Sequence, residues 1–156
     1  MIVVRRPLSA IEAGAKVPER AFARLRDISI FNPLPIVTVE NLATRAGTRR
    51  VEPGTPIVRE GDPAEAFFVI EEGSVDVHED GVFRRVERAG EFFGEIALLR
   101  DSPRAATVRA TTLVTLLTFE RDDFLAAVGA HPRSSHAAER VAQRRLRALP
   151  ISPAAK

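Results

Sequence analysis

One stretch of the chain, residues 90–110, concentrates side chains that together could bind a phosphorylated sugar. Its sequence is GEFFGEIALLRDSPRAATVRA. Arg104 presents a planar fork of donors that suits a phosphate group, and Glu95 can accept a hydrogen bond from a sugar hydroxyl. The small residues beside Arg104 and a short helical turn starting near Glu95 allow a ligand to approach backbone amides closely. The chemistry indicated is recognition of a sugar phosphate.

Short strands are the elements that must position these side chains. From Thr48 to about Phe119, apolar runs alternate with turn residues, and Asp80-Gly81 is a hairpin signal. Many short strands at this spacing predict a β-sandwich, a jelly roll or a barrel. The predicted strands are Pro56–Arg59, Ala66–Ile70, Val75–His78, Val82–Val86, Ala106–Ala110 and Leu113–Phe119.

Helical patterns flank this β region on both sides. A first helix can start at Pro18, and residues 32–35, with two prolines, end it. Thr38 is expected to cap a second short helix. After the strands, one helix is predicted from Arg121 to about Gly129 and a last one over residues 135–149.

The last predicted helix has a thin apolar face, so we expect it to dock only marginally on the rest of the protein. Its apolar residues are Ala138, Val141, Ala142, Leu146 and Leu149. Its arginines are interpreted as a solvated face that an anionic partner could also contact. These arginines are Arg140, Arg144, Arg145 and Arg147.

These patterns divide the chain into five consecutive parts. They are an N-terminal tail (1–17), N-terminal helices (18–47), a β jelly roll (48–120) with the sugar-phosphate segment at 93–107, C-terminal helices (121–149) and a short tail (150–156).

The composition fits one soluble, cytoplasmic domain that takes no metal or cofactor. Hydrophobic residues make up 45% of the chain and charged residues 28%, and the net charge is +2. The absence of cysteine excludes disulfides, and the three histidines have no ligand spacing. No apolar run reaches the ~18 residues of a membrane span.

The sugar-phosphate segment resembles the phosphate-binding cassette of cyclic-nucleotide-binding domains. The match consists of Phe93-Gly94-Glu95, the apolar turn Ile96–Leu99 and the run Pro103–Thr107. Turn glycines and apolar strands extend the likeness from about Phe31 to Pro132. The family fold implied is mainly β with flanking α: an eight-stranded jelly-roll β-barrel with N-terminal helices and C-terminal lid helices.

The resemblance also implies a role for each residue of the cassette. Arg104 would pair with the cyclic phosphate, Glu95 would bind the ribose 2′-hydroxyl, and Gly94 would let the chain bend. Amides of Ala97 and Ala105 would face the phosphate, and alanine at 105 favours cyclic AMP over cyclic GMP. The ligand-binding set is Phe93, Gly94, Glu95, Ile96, Ala97, Pro103, Arg104, Ala105 and Ala106, with Val141, Leu146 or Leu149 as the cap over the base.

The function that follows is that of a cyclic-nucleotide sensor that moves its C-terminal helices, rather than an enzyme. Three alternatives stay open: a regulatory part of a larger transporter, channel or kinase, a member that binds no nucleotide, and a transcription regulator lacking its DNA-binding domain. Only about two dozen residues follow Pro132, so DNA binding by this chain is not expected. The other expected partner is an effector domain, either in the same polypeptide or in a separate protein. The chain would lie near a membrane only if it belonged to a larger membrane protein.

Overall fold

The computed structural model describes residues 17–147, which form helices on either side of eight strands. The helices are α1 (Val17–Arg26), α2 (Ile36–Ala43), α3 (Glu95–Arg100), α4 (Arg121–Gly129) and α5 (Pro132–Arg147). The strands are β1 (Gly47–Val51), β2 (Pro56–Val58), β3 (Ala66–Glu72), β4 (Ser74–Glu79), β5 (Val82–Arg88), β6 (Phe92–Phe93), β7 (Thr107–Ala110) and β8 (Val114–Glu120).

The strands form two four-stranded antiparallel sheets. One has the order β1-β8-β3-β6 and the other β2-β7-β4-β5. The mainly-β jelly roll with flanking helices is therefore confirmed, although the two sheets do not close into a barrel. Among the described residues no hydrogen-bonded ladder joins one sheet to the other, and the edge strand β6 is only two residues long.

The β4–β5 hairpin turns at the predicted position. Asp80 and Gly81 both have left-handed backbone conformations, with φ of 53° and 77°. Two successive positive φ values are what a two-residue hairpin loop of the primed type requires. This turn sets the pairing of β4 with β5, the strand that carries Arg85 and Glu87.

Strand β3 is buried on both faces and separates two apolar clusters. Phe67 faces the helices, where its ring stacks on Phe124 at 4.6 Å and meets Phe31 edge-on at 5.7 Å. Phe68 faces the space between the sheets and stacks on Phe93 at 5.0 Å. Burial of each ring stabilises the fold by roughly 1.5–3 kcal/mol. The stacking also fixes β6, which leads directly into the cassette.

Two helix starts differ from the sequence prediction. Helix α2 begins at Ile36 after an extended Pro35, so Thr38 lies within its first turn and the predicted Thr38 cap is wrong. Helix α5 begins at Pro132 rather than near residue 135. A proline suits the first helical position because an N–H group there has no intrahelical acceptor, so the N–H that proline lacks is not missed.

Helix α5 buries several small side chains against the rest of the protein, while its marginal docking without ligand stays a prediction. Its first turns bury Ser134, Ala137, Ala138, Val141 and Ala142. The Ser134 hydroxyl also donates a hydrogen bond to the carbonyl of Ile30, across the interface with the N-terminal segment. Small side chains let α5 pack closely against its neighbours. A prediction based only on the number of large apolar residues therefore underestimates how much of this helix is buried.

The predicted tails, residues 1–17 and 150–156, lie outside the described residues, except for Val17, which begins α1. None of the helices between residues 17 and 147 is long and apolar enough to cross a membrane.

Candidate functional site

The turn from β6 into α3 depends on a glycine. Gly94 has φ of 99°, in the left-handed region. A Cβ at this position would lie 3.0 Å from Nη1 of Arg104 and 3.1 Å from the carbonyl oxygen of Ala66. Gly94 therefore permits both the bend and the close approach of Arg104, and it delivers Glu95 to the first turn of α3.

Arg104 is a buried cation held by backbone carbonyls. It lies between α3 and β7 with 6% of its surface exposed. Its Nη1 donates to the Gly94 carbonyl at 3.1 Å and its Nη2 to the Ala66 carbonyl at 2.7 Å. Burial lowers the pKa of Arg104, although the negative charges of Glu95 and Glu65 oppose this effect. Among residues 17–147 no carboxylate lies within ion-pair distance of it, so its charge is only partly compensated.

Glu95 is also buried, with 1% of its surface exposed. Both of its carboxylate oxygens lie 2.9 Å from Nη1 of Arg145, which α5 supplies from 50 residues further along the chain. The same guanidinium contacts Oε2 of Glu87 at 3.0 Å and lies over the ring of Phe92 at 4.6 Å. The C-terminal helix therefore reaches the residue predicted to bind the ribose.

Glu87 completes this buried ion cluster. Its Oε2 accepts a hydrogen bond from Nε of Arg85 at 2.7 Å, whereas its Oε1 has no hydrogen-bond partner among the described residues. Burial raises the pKa of Glu87 despite the opposing charges of Arg145 and Arg85. Burial by itself would lower the pKa of Arg145, but the charges of Glu95 and Glu87 outweigh it and raise that pKa.

A small cavity of about 50 Å³ lies at the centre of these groups. Eight of the nine predicted ligand-binding residues line it: Phe93, Gly94, Glu95, Ile96, Ala97, Arg104, Ala105 and Ala106. The ninth, Pro103, is exposed and does not. A cavity of this size holds only a few water molecules, so a nucleotide requires it to widen.

The predicted cap residues do not line the cavity in this structure. Val141 is buried in the core beneath α5, and Leu146 is 38% exposed. Leu149 lies outside the described residues. The cap stays a prediction for the ligand-bound protein.

Sequence reasoning missed several residues that line the cavity, above all Arg145, which had been interpreted as part of a solvated face. Its side chain is only 16% exposed. A signal was present, because Arg145 follows Val141 by four residues and Ala138 by seven, which continues the buried face of the helix. The others, Val58, Val77, Arg85 and Val108, come from strands far apart in sequence.

Together, the jelly roll and its cassette place a buried arginine and a buried glutamate around one small cavity. Comparison with known proteins identifies the family to which this domain belongs. A family model described as "Cyclic nucleotide-binding domain" matches residues 48–131. The chain belongs to the cyclic nucleotide-binding domain family.

A curated relative is the cAMP-dependent protein kinase regulatory subunit of Yarrowia lipolytica. It is 36% identical over 108 residues, which cover 67% of this chain and 28% of the relative. The chain thus spans less than a third of the length of that relative.

Solved structures share the fold. The structure titled "cAMP bound PfPKA-R" superposes with a TM-score of 0.78 at 23% identity, covering 86% of this chain and 47% of that one. The regulatory subunit of a cAMP-independent protein kinase A from Trypanosoma brucei superposes with a TM-score of 0.74 at 25% identity, covering 84% and 47%.

Proposed function

We propose that this chain is a cyclic-nucleotide sensor whose ligand is cyclic AMP. The observation that carries the proposal is that Arg104, a buried cation with no bonded carboxylate in the described chain, lines the same cavity as buried Glu95. The cyclic phosphate would compensate the charge of Arg104, and the ribose 2′-hydroxyl would donate to Glu95.

Cyclic AMP is favoured over cyclic GMP on two grounds. The relative from Yarrowia lipolytica is described as cAMP-dependent, and one of the similar structures is described as cAMP-bound. Ala105, which lines the cavity, offers no hydroxyl to a guanine.

Ligand entry would require α5 to adjust, because Arg145 now bonds both oxygens of Glu95 and the cavity is small. A ligand shifts such an equilibrium only through contacts that differ between the two states. Glu95 would bond Arg145 in the unliganded state and the ribose in the liganded state, and these contacts differ between the two states in the required way. Occupancy would thereby be coupled to the position of α5.

The output is proposed to be regulatory rather than catalytic. Residues 17–147 contain no cluster of potential metal ligands, and the curated relative is a regulatory subunit. An effector in the same polypeptide or in a cytoplasmic partner would carry out the response.

One rival has an observation in its favour: a family member that binds no nucleotide. A structure with the same fold is described as cAMP-independent, and the ion pair of Glu95 with Arg145 already satisfies the ribose-binding carboxylate.

Isothermal titration calorimetry with cyclic AMP and cyclic GMP separates these possibilities. We expect the parent protein to bind cyclic AMP more tightly, and Arg104→Leu to lose about 2–5 kcal/mol of binding free energy. Arg50→Leu, an exposed arginine of β1, serves as the matched control. A parent protein that binds neither nucleotide would establish the rival, and an Arg104→Leu variant with parental affinity would remove Arg104 from the site.

A further inference from the structure

A second concave surface lies between the N-terminal segment and α5, next to the face that holds Arg145. This groove has a volume of about 560 Å³. Ser29, Asn32 and Pro33 form one wall, and residues of α5 from Arg133 to Arg144 form the other. It is distinct from the nucleotide cavity, with which it shares no lining residue.

The groove is strongly basic. Arg133, Arg140 and Arg144 line it together with His136, and all four are exposed. No acidic residue lines it, and within residues 17–147 none of the three guanidinium groups has a carboxylate partner. Arg140 and Arg144 are four residues apart on one helix, a spacing at which like charges repel each other, so an anion placed beside them would be favourable.

The shape of the groove suits an extended chain rather than a compact ion. Arg133 and Arg144 are eleven residues apart, which at 1.5 Å per residue gives a length of about 16 Å. An extended peptide covers this distance with about five residues. Pro33 is the apolar residue of the groove that is partly exposed, whereas Ala137 and Val141 are buried, with 6% and 3% of their surface exposed. A segment whose acidic residues are separated by short apolar ones matches the length and the charge of the groove.

The rest of this chain is poorly suited to fill the groove. Residues 1–16 contain Arg5, Arg6 and Lys16 against the single acid Glu12, and residues 148–156 contain Lys156 and no acid. Both segments therefore have the same sign of charge as the groove. A single-stranded nucleic acid is also disfavoured, because no Phe, Tyr or Trp lines the groove and His136 alone could stack on a base.

We propose that this groove docks an acidic segment of a partner protein. The carboxylates would pair with Arg140 and Arg144 at one end and with Arg133 at the other, and the short side chains between them would lie against Pro33. The proposal does not depend on nucleotide binding.

Fluorescence anisotropy with a labelled peptide that alternates glutamate and valine tests the proposal. We expect saturable binding to the parent protein, with affinity reduced about tenfold or more by Arg140→Glu combined with Arg144→Glu, because like charges then face each other. The control combines Arg50→Glu with Arg88→Glu, which makes the same change in net charge at exposed sites on the strands. The control should retain nearly parental affinity.

Three results would overturn the proposal: no binding to the parent protein, an equal loss in both double variants, or binding of a single-stranded oligonucleotide in the groove where the peptide does not bind. Circular dichroism checks that the variants are folded. If the double variant is not folded, Arg140→Gln tests the same contact with a milder change, and parental affinity in that variant counts against the groove.

Discussion

Two buried arginines of the site differ in how their charges are compensated. Arg104 bonds only to carbonyl oxygens, whereas Arg145 is shared between the carboxylates of Glu95 and Glu87. A buried charge without a counter-ion is costly, so Arg104 has the most to gain from an anionic ligand. Arg145 already has its counter-ions and instead links α5 to the cassette.

Glu95 is predicted to distinguish ribose from deoxyribose. The parent protein should bind 2′-deoxy cyclic AMP more weakly than cyclic AMP by about 1.5–3 kcal/mol, the contribution of a hydrogen bond to a charged group. In Glu95→Gln the difference between the two ligands should shrink, because the acceptor is no longer charged. Calorimetry on both proteins with both ligands measures it, and an unchanged difference would exclude Glu95 from the ribose contact.

Ala105 is predicted to set base preference. In Ala105→Thr the affinity for cyclic GMP should rise relative to cyclic AMP, because only the guanine amino group gains a hydroxyl acceptor. Ala105→Val, which has the same shape without the hydroxyl, is the matched control. Competition binding with both nucleotides checks this, and the same ratio in the Thr and Val variants would contradict the role of the hydroxyl.

Glu87 is predicted to make stability depend on pH. Its pKa is raised above the ordinary value of 4.5, so the folded state binds its proton more tightly than the unfolded state does. The stability it contributes is present below about pH 4.5 and is lost as pH rises through the folded pKa.

The free energy of unfolding of the parent relative to Glu87→Gln should therefore fall as pH rises from 4.5 to 7. Urea denaturation at several pH values measures this difference. Glu52→Gln, an exposed carboxylate, corrects for the change in net charge. A difference that grows with pH would reverse the assigned direction.

At the scale of elements, α5 is tied to the cassette at two points. The buried pair of Arg145 with Glu95 is one, and an exposed pair between Arg100 of α3 and Glu139, at 2.8 Å, is the other. The exposed pair contributes little because solvent screens it. Of the two ion pairs, the buried one made by Arg145 therefore contributes more to holding α5 against α3.

Arg145→Met is predicted to destabilise the unliganded protein by about 3–5 kcal/mol, because buried Glu95 loses its cation and Glu87 keeps only Arg85. The double variant Arg145→Met with Glu95→Gln should recover part of this loss, since the unpaired charge of Glu95 is then removed. Thermal and urea unfolding of the parent protein, of Arg145→Met, of Glu95→Gln and of the double variant complete this double-mutant cycle. No recovery in the double variant would show that the two side chains are not energetically coupled.

The sequence indicates that the cassette residues lie together, but it does not indicate the contacts that other elements make with them. Glu95 and Arg104 lie in one contiguous segment. The glycine and the small residues of this segment are needed for its own backbone conformation, so they can be recognised from local sequence. Arg145 meets Glu95 only because α5 packs back onto α3, and this packing rests on small side chains such as Ala138 and Ala142. Similarly, alternating apolar residues predict strands but do not decide whether two sheets close into a barrel.

At the scale of the whole molecule, the helices and the first sheet share one apolar core. This core joins Leu25 of α1 and Val39 of α2 with Phe67 of β3, Phe119 of β8 and Val141 of α5. Helices that bury their apolar faces in a common core with the sheet are not expected to unfold separately from it. The movement of α5 that we propose on ligand binding is therefore a shift of its last turns around Arg145, with Ser134 and Ala138 held in place.

Unfolding and hydrogen-exchange measurements test whether α5 belongs to the same cooperative unit as the sheet. We predict that unliganded protein unfolds in a single transition, followed by circular dichroism and calorimetry because the chain contains no tryptophan or tyrosine. Cyclic AMP at about 100 times its dissociation constant should then raise the free energy of unfolding by about 2.7 kcal/mol. Amides near Arg145 should change their exchange rate on binding more than amides near Ser134, since Arg145 contacts the cassette whereas Ser134 bonds to Ile30 in the N-terminal segment. A separate early transition for α5, or equal changes along the whole helix, would show that α5 moves as an independent lid.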